Sequence, residues 1–234
     1  MSEWWTYRPA DFLMFAPAVY WRLFAALNEA WWPMQPVVVA VALTWLVRWA
    51  WPRRTTAGSP VAARAALAGL ALAWAAVAGD FLLQRFTPIN WPAAGYAAGF
   101  ALQALGLLVL ALAGGVEDAG APGRRRVGLA LGLWALLGQP LLAPAFGRPW
   151  AQAEVFGLAP DPTAIGTLAV LLLLRGRSAA ARWGLRALWA LPLAWCAVSA
   201  ATLATLGTAQ AAVPLAAALL ALAAARRAPQ GPRL

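Results

Sequence analysis

The sequence predicts an all-α fold: a polytopic transmembrane helix bundle of about seven spans, plus an N-terminal interfacial or re-entrant amphipathic helix. Three observations predict it. The 234-residue chain is 63% hydrophobic and only 11% charged, with a mean hydropathy of +0.67. A soluble domain is about 25% charged, so this apolar surface calls for a bilayer as solvent. Apolar runs of span length recur seven times. The arginines, eighteen with no Lys and no His, alternate between the connections that join those runs. Fourteen lie in every second connection (Arg48, Arg53, Arg54, Arg64; Arg124–Arg126; Arg175, Arg177, Arg182, Arg186; Arg226, Arg227, Arg233) and four in the others (Arg8, Arg22, Arg85, Arg148). Positive charge collects in cytoplasmic loops. The pattern therefore places the N-terminus outside and the C-terminus in the cytoplasm of a bacterial inner membrane.

The spans run over Met34–Trp51, Val61–Leu83, Ala93–Gly114, Val127–Ala145, Pro162–Leu174, Trp183–Leu206 and Ala211–Ala225. Each needs ~20 mainly apolar residues. The last two form one apolar stretch that would reach ~65 Å as a single helix, about twice a bilayer. The chain must turn there, at Gly207, Thr208 and Gln210. Residues 34–227 make the bundle and 228–234 a disordered cytoplasmic tail with two prolines. The connection Gly114–Gly123 reads as a flexible loop. The halves show no repeat of convincing length.

Residues 1–33 form an outer-face aromatic segment. At 100° per residue, Asp11, Ala18, Arg22, Ala25 and Glu29 share a narrow polar stripe, and Phe12, Leu13, Tyr20, Leu23, Phe24, Leu27 and Trp31 cover the rest. A helix of this kind lies in the interface. Trp4, Trp5, Trp21, Trp31 and Trp32 favour the same depth. A crossing would put Arg22 near mid-membrane at ~3 kcal/mol. No cleavable signal peptide is visible, because Glu3 and the lack of a basic start disqualify Met1–Ala10.

The missing histidines exclude His-ligated haem, zinc–histidine sites and His general bases. No nucleophile elbow, phosphate-binding loop or C-x-x-C is present, and no cofactor is expected. The lone Cys196 is apolar in context and inert. The net charge of +10 does not imply nucleic acid, because the arginines flank apolar runs instead of lining one polar face. Their expected partner is membrane lipid, anionic lipid of the cytoplasmic leaflet included.

Two polar groups could build an outer-face site. One is Asp80 and Arg85 with Asn90 and Trp91 in the loop that follows. Five residues apart, Asp80 and Arg85 are poor intrahelical partners, so cross-helix pairing with Glu154, Asp161 or Arg22 is open. The plain reading is an ion pair that ties helix ends together; the alternative is a ligand pocket. The other group is Glu154 with Asp161 and Thr163. Asp161-Pro162 reads as an N-cap and first-turn proline, a structural helix start. Its helix has only thirteen residues, ~20 Å, and short Pro-interrupted spans point to transporter sites. Within the spans, Gln139-Pro140 marks a kink or a polar cavity, and Gln103 stands alone. Ser199, Thr202 and Thr205 read as a helix-packing face. Trp45, Trp74, Trp134, Trp189 and Trp195 read as packing.

Several stretches resemble a bacterial family of multi-pass membrane proteins known only as a domain of unknown function. They are Trp5-Thr6-Tyr7, Asp11-Phe12-Leu13 with Phe15, Tyr20-Trp21-Arg22-Leu23 with Asn28 and Trp32-Pro33, and Glu154-Val155-Phe156-Gly157. Pro160-Asp161-Pro162-Thr163 with Gly166-Thr167-Leu168 completes them. The resemblance implies a polytopic helical membrane protein and no catalytic residue.

Two functions are therefore expected. The first is permease-like binding of a small solute or lipid from the outer face, through Asp80, Arg85, Asn90, Trp91, Glu154, Asp161 and Thr163. The alternative is a non-catalytic accessory subunit that docks a protein partner through the N-terminal helix. On either expectation the arginine-rich face is the wrong place to look for a specific site.

Overall fold

The computed structural model describes residues 14–50, 60–118 and 121–226. The expectations for Trp4, Trp5, Asp11 and the tail fall outside those residues. Eight helices are described: α1 Pro17–Ala30, α2 Met34–Ala50, α3 Pro60–Phe86, α4 Ala93–Ala113, α5 Pro122–Ala145, α6 Pro160–Leu173, α7 Ala179–Thr205 and α8 Ala209–Arg226. The polytopic helical bundle is as expected. Five helices (α3, α4, α5, α7 and α8) are long and apolar enough to cross a membrane.

The remaining three depart from simple spans. α1 meets α2 at 87° across the Trp31–Pro33 turn; a residue before proline is steered away from helix. α1 packs on the turn Trp150–Gln152 and on the last turns of α3. Its aromatic face enters the protein instead of lipid. Tyr20, Phe24 and Leu27 are buried, while Arg22 and Glu29 stay exposed. Phe24 stacks on Phe81 at 4.9 Å, and Phe15, Tyr20 and Phe86 complete the aromatic cluster. In contrast, α2 buries only Gln35 and Trp49.

α6 is the centre of the bundle, enclosed by α3, α5, α7 and α8. Every residue of it is buried except Val170. It starts with Pro160 and Pro162, whose missing N–H groups lie in the first turn where none is needed. It ends at Leu173 because the chain becomes extended at Leu174. Leu174–Gly176 (β2) pairs antiparallel with Val116–Asp118 (β1), Glu117 opposite Arg175. The Gly114–Gly123 connection is thus partly a strand, corrected from a wholly flexible loop. Gly114 and Gly115, both at positive φ, end α4 and turn the chain into β1.

Two helices are locally underwound. α3 is a π-helix over Val77–Phe86, and α5 over Trp134–Gly138. A π turn joins residues five apart. α7 has a break at Leu188–Trp189. Pro192 lacks the N–H that would reach the Leu188 carbonyl. Gln103 of α4 donates to that carbonyl instead, at 2.9 Å. This explains an amide in the middle of an otherwise apolar span.

Candidate functional site

The end of the bundle opposite the arginine-rich connections carries both polar groups read from the sequence, and the structure keeps them apart. Asp80 and Arg85 form an ion pair within α3. Their five-residue spacing, wrong for an α-helix, is the repeat of the π segment that holds them. The Trp31 indole donates to the other carboxylate oxygen of Asp80, which locks the α1–α2 turn onto α3. Arg85 also donates to the Asp80 carbonyl at 3.0 Å. Both side chains are about one-fifth exposed. Asn90 is half-buried in the following turn, and Trp91 projects outward, 74% exposed. Neither joins a polar contact with Asp80 or Arg85. Among the described residues no ion pair links this group to Glu154 or Asp161.

Glu154 and Asp161 are buried within electrostatic reach of each other and of Tyr20 on α1, whereas Thr163 has other partners. Asp161 is not the N-cap of α6; Ala159 holds that position. Within the first turn, Asp161 reaches across to α7. Trp195 Nε1 donates to Oδ1 at 2.7 Å and Ser199 Oγ to Oδ2 at 2.6 Å. Ser199 therefore belongs to this acid, whereas Thr202 and Thr205 donate to carbonyls of their own helix. Thr163 Oγ1 donates to Ala159 O at 2.7 Å and accepts from Gly157 N–H at 2.9 Å, so it staples the incoming loop to the helix start. One turn further, Thr167 donates to Thr163 O and accepts from Trp74 Nε1 at 2.7 Å.

The loop is shaped to lie against α6. Gly157 sits at φ +84, and Phe156 packs its ring on Gly166, where a Cβ would fall 2.5 Å from Phe156 Cε2. That packing carries Glu154 into the protein. Gln139 and Arg148 lie close enough to favour its charged form. Burial first, and the nearby Asp161 second, push the Glu154 carboxyl up to about 8. Gln139 also accepts from Trp134 Nε1 at 3.1 Å, a second pair five residues apart, made possible by the π segment of α5. Arg148 stacks over the Trp21 ring at 3.5 Å and donates to Gln210 Oε1 at 3.0 Å. Asn28 donates to Ala151 O and Ala153 O, both at 2.8 Å, and straps α1 over the whole cluster.

Chemically the cluster is a pair of buried carboxylates, one of which meets an indole and a hydroxyl donor. Among the described residues no group of three or more acids or cysteines converges to hold a metal ion. Sequence reasoning missed Tyr20, Gln139, Arg148, Trp195, Ser199 and Gln210 as members. The available signal was tryptophan within apolar spans: a buried indole N–H needs an acceptor, and Trp74, Trp134 and Trp195 each have a polar one.

A cavity lies elsewhere. A groove of about 580 Å³ lies between α2 and α3, with α5 and α6 as its floor. Val37, Val41, Trp45, Leu72, Ala73 and Val170 are among its walls, and no charged side chain lines it. Val37, Val41 and Leu72 are exposed on its rim, so it opens sideways. Gly69 faces into open space, with no atom within 4 Å of a Cβ placed there. The Phe156–Leu158 loop closes one end and Trp49 lies at the other.

A family of unknown function, DUF6064, has a model that matches residues 17–232. No curated protein and no solved structure matches the chain.

Proposed function

The chain belongs to the DUF6064 family, and from that premise we propose that it binds a membrane lipid, holding one hydrocarbon chain in the groove between α2 and α3. The observation that carries this reading is the groove itself. Its volume of about 580 Å³ falls within the ~300–1,000 Å³ of ligand sites. It is apolar, and it opens toward the side of the bundle where lipid would lie. Of the solute-or-lipid alternatives, lipid is favoured, because Asp161 is bonded to Trp195 and Ser199, Glu154 is buried beside Gln139 and Arg148, and neither acid lines the groove. The accessory reading has less to rest on: the aromatic face of α1 is already covered by α3 and the Trp150–Gln152 turn.

The test is Gly69→Leu. Leucine there enters empty space and gains about 0.8 kcal/mol of helix propensity over glycine. Full-length protein in mild detergent would be examined by native mass spectrometry for retained lipid. The variant is expected to match or exceed the parent in thermal midpoint and to lose its lipid. Unchanged lipid in a well-folded variant would overturn the reading.

A further inference from the structure

The geometry points to a phosphate-bearing lipid headgroup at the arginine-rich mouth of this groove, bound by Trp49, Arg124 and Arg125. The inference rests on the lipid reading above and adds which end of the groove takes the headgroup and by what chemistry.

Three buried donors at this end have no partner: Trp49 Nε1, Arg124 Nε and Arg125 Nη2. Trp49 is itself 4% exposed and lines the groove. A buried donor with no acceptor is destabilising, so three together are an open demand for an acceptor. Arg125 falls on the stripe of α5 that faces the groove, and Arg124 lies beside it on the side that meets α6. Arg124 is one turn before Gly128, and Arg125 is seven residues before Gly132, which lines the groove. A Cβ on Gly128 would meet Leu173 at 3.1 Å, and one on Gly132 would meet Leu46 at 2.7 Å. Leu46 and Leu173, like Trp49, are groove walls. Arg124 is held toward α6 by its Nη2, 3.4 Å from Leu171 O. That contact leaves Nε unused.

The local acids do not fill the demand. Glu117 is taken by Arg175 and Arg177. Asp118 is close enough for Arg125 to favour its charged form, but it leaves Nη2 without a partner. A phosphodiester offers several anionic acceptors on one centre, and guanidinium donors match it geometrically. The same lipid supplies the chain for an apolar groove that begins at Trp49. By the positive-inside rule this is the cytoplasmic leaflet. The site thus lies at the end the sequence reading set aside.

Native mass spectrometry of the full chain with phosphatidylglycerol and with diacylglycerol separates headgroup from chain. The parent is expected to retain phosphatidylglycerol about tenfold better, the scale of one charge-assisted hydrogen bond. Trp49→Phe, Arg124→Gln and Arg125→Gln should each reduce that preference and leave diacylglycerol retention unchanged. Trp49→Phe keeps the ring and removes only the donor, so its fold is least at risk. Equal retention of the two lipids by the parent, or an undiminished preference in all three variants, overturns the headgroup site and leaves the groove reading standing. Retention of both lipids by Gly69→Leu at the parent's level overturns the groove reading itself. Displacement of phosphatidylglycerol by inorganic phosphate alone would mark a free-anion site and would also overturn the proposal.

Discussion

Asp80 and Arg85 are paired at a spacing that an α-helix does not permit, and α3 is wound as a π-helix where they stand. The winding and the pair support each other, since Thr87 also donates to a carbonyl five residues back, at 2.8 Å. Trp31 makes the group a triad that holds α1, α2 and α3 in register. Arg85→Gln should lower stability by about 1–2 kcal/mol, between exposed and buried pairs. A double-mutant cycle with Trp31→Phe, read by thermal unfolding in detergent, should give a coupling above about 0.5 kcal/mol. Additive losses would show that the two contacts act separately.

Trp195 and Ser199 are what keep Asp161 buried between α6 and α7. Trp195→Phe retains the ring and removes the donor, leaving a carboxylate oxygen short of a partner. A loss of about 1–3 kcal/mol is expected. Asp161→Asn should be milder, because its amide can donate to Ser199 and its carbonyl can accept from Trp195. Denaturation of both variants in one detergent ranks them, and the reverse order would disprove this account of the contact.

Glu154 ties stability to pH. Its carboxyl ordinarily titrates near 4.5 and is pushed up to about 8 here. Between those values the folded state holds a proton that the unfolded state has released. Stability should therefore fall as pH rises through that window, by at most about 1.4 kcal/mol per pH unit, and level off above it. Glu154→Gln should flatten the profile. Thermal midpoints across pH 5–9 give the comparison, and a parent profile that rises with pH would contradict the assignment.

Gly166 is fixed by Phe156. Gly166→Ala would set a methyl 2.5 Å from the ring and should cost about 1–3 kcal/mol by overpacking. Adding Phe156→Leu should recover part of that loss, although Gly166→Ala alone improves helix propensity. If the single variant is as stable as the parent, the loop does not press on α6 as described.

Helix class and span positions were legible because they depend on local hydropathy, which one sequence carries in full. Most span limits fall within a few residues of the helices, as with Ala93–Gly114 against Ala93–Ala113. The exposed stripe of Arg22 and Glu29 was equally readable, since helical periodicity alone sets it. Asp161 and Thr163 were marked by the Asp161-Pro162-Thr163 helix start and by the shortness of the span it opens. The Asp161-Pro162 dipeptide nevertheless suggested a cap, because local rules cannot see Trp195, thirty-four residues away. The Asp80–Arg85 pair was discounted by an α-helical rule that the π winding suspends.

Composition by itself determined that this chain would fold as an apolar helical bundle, and the arginine pattern supplied the expected direction of each helix. Both follow from transfer of side chains and charges between water and hydrocarbon, a property of each segment alone. Tertiary structure decided that α6 is enclosed, that α1 buries its aromatic face in protein, that Glu154 meets Asp161, and that α2 stands away from α3 to leave a groove. Those outcomes depend on which helices touch. In an apolar surrounding hydropathy hardly distinguishes one neighbour from another, so close packing at Gly128, Gly132 and Gly166 and the partners of a few buried donors make the choice.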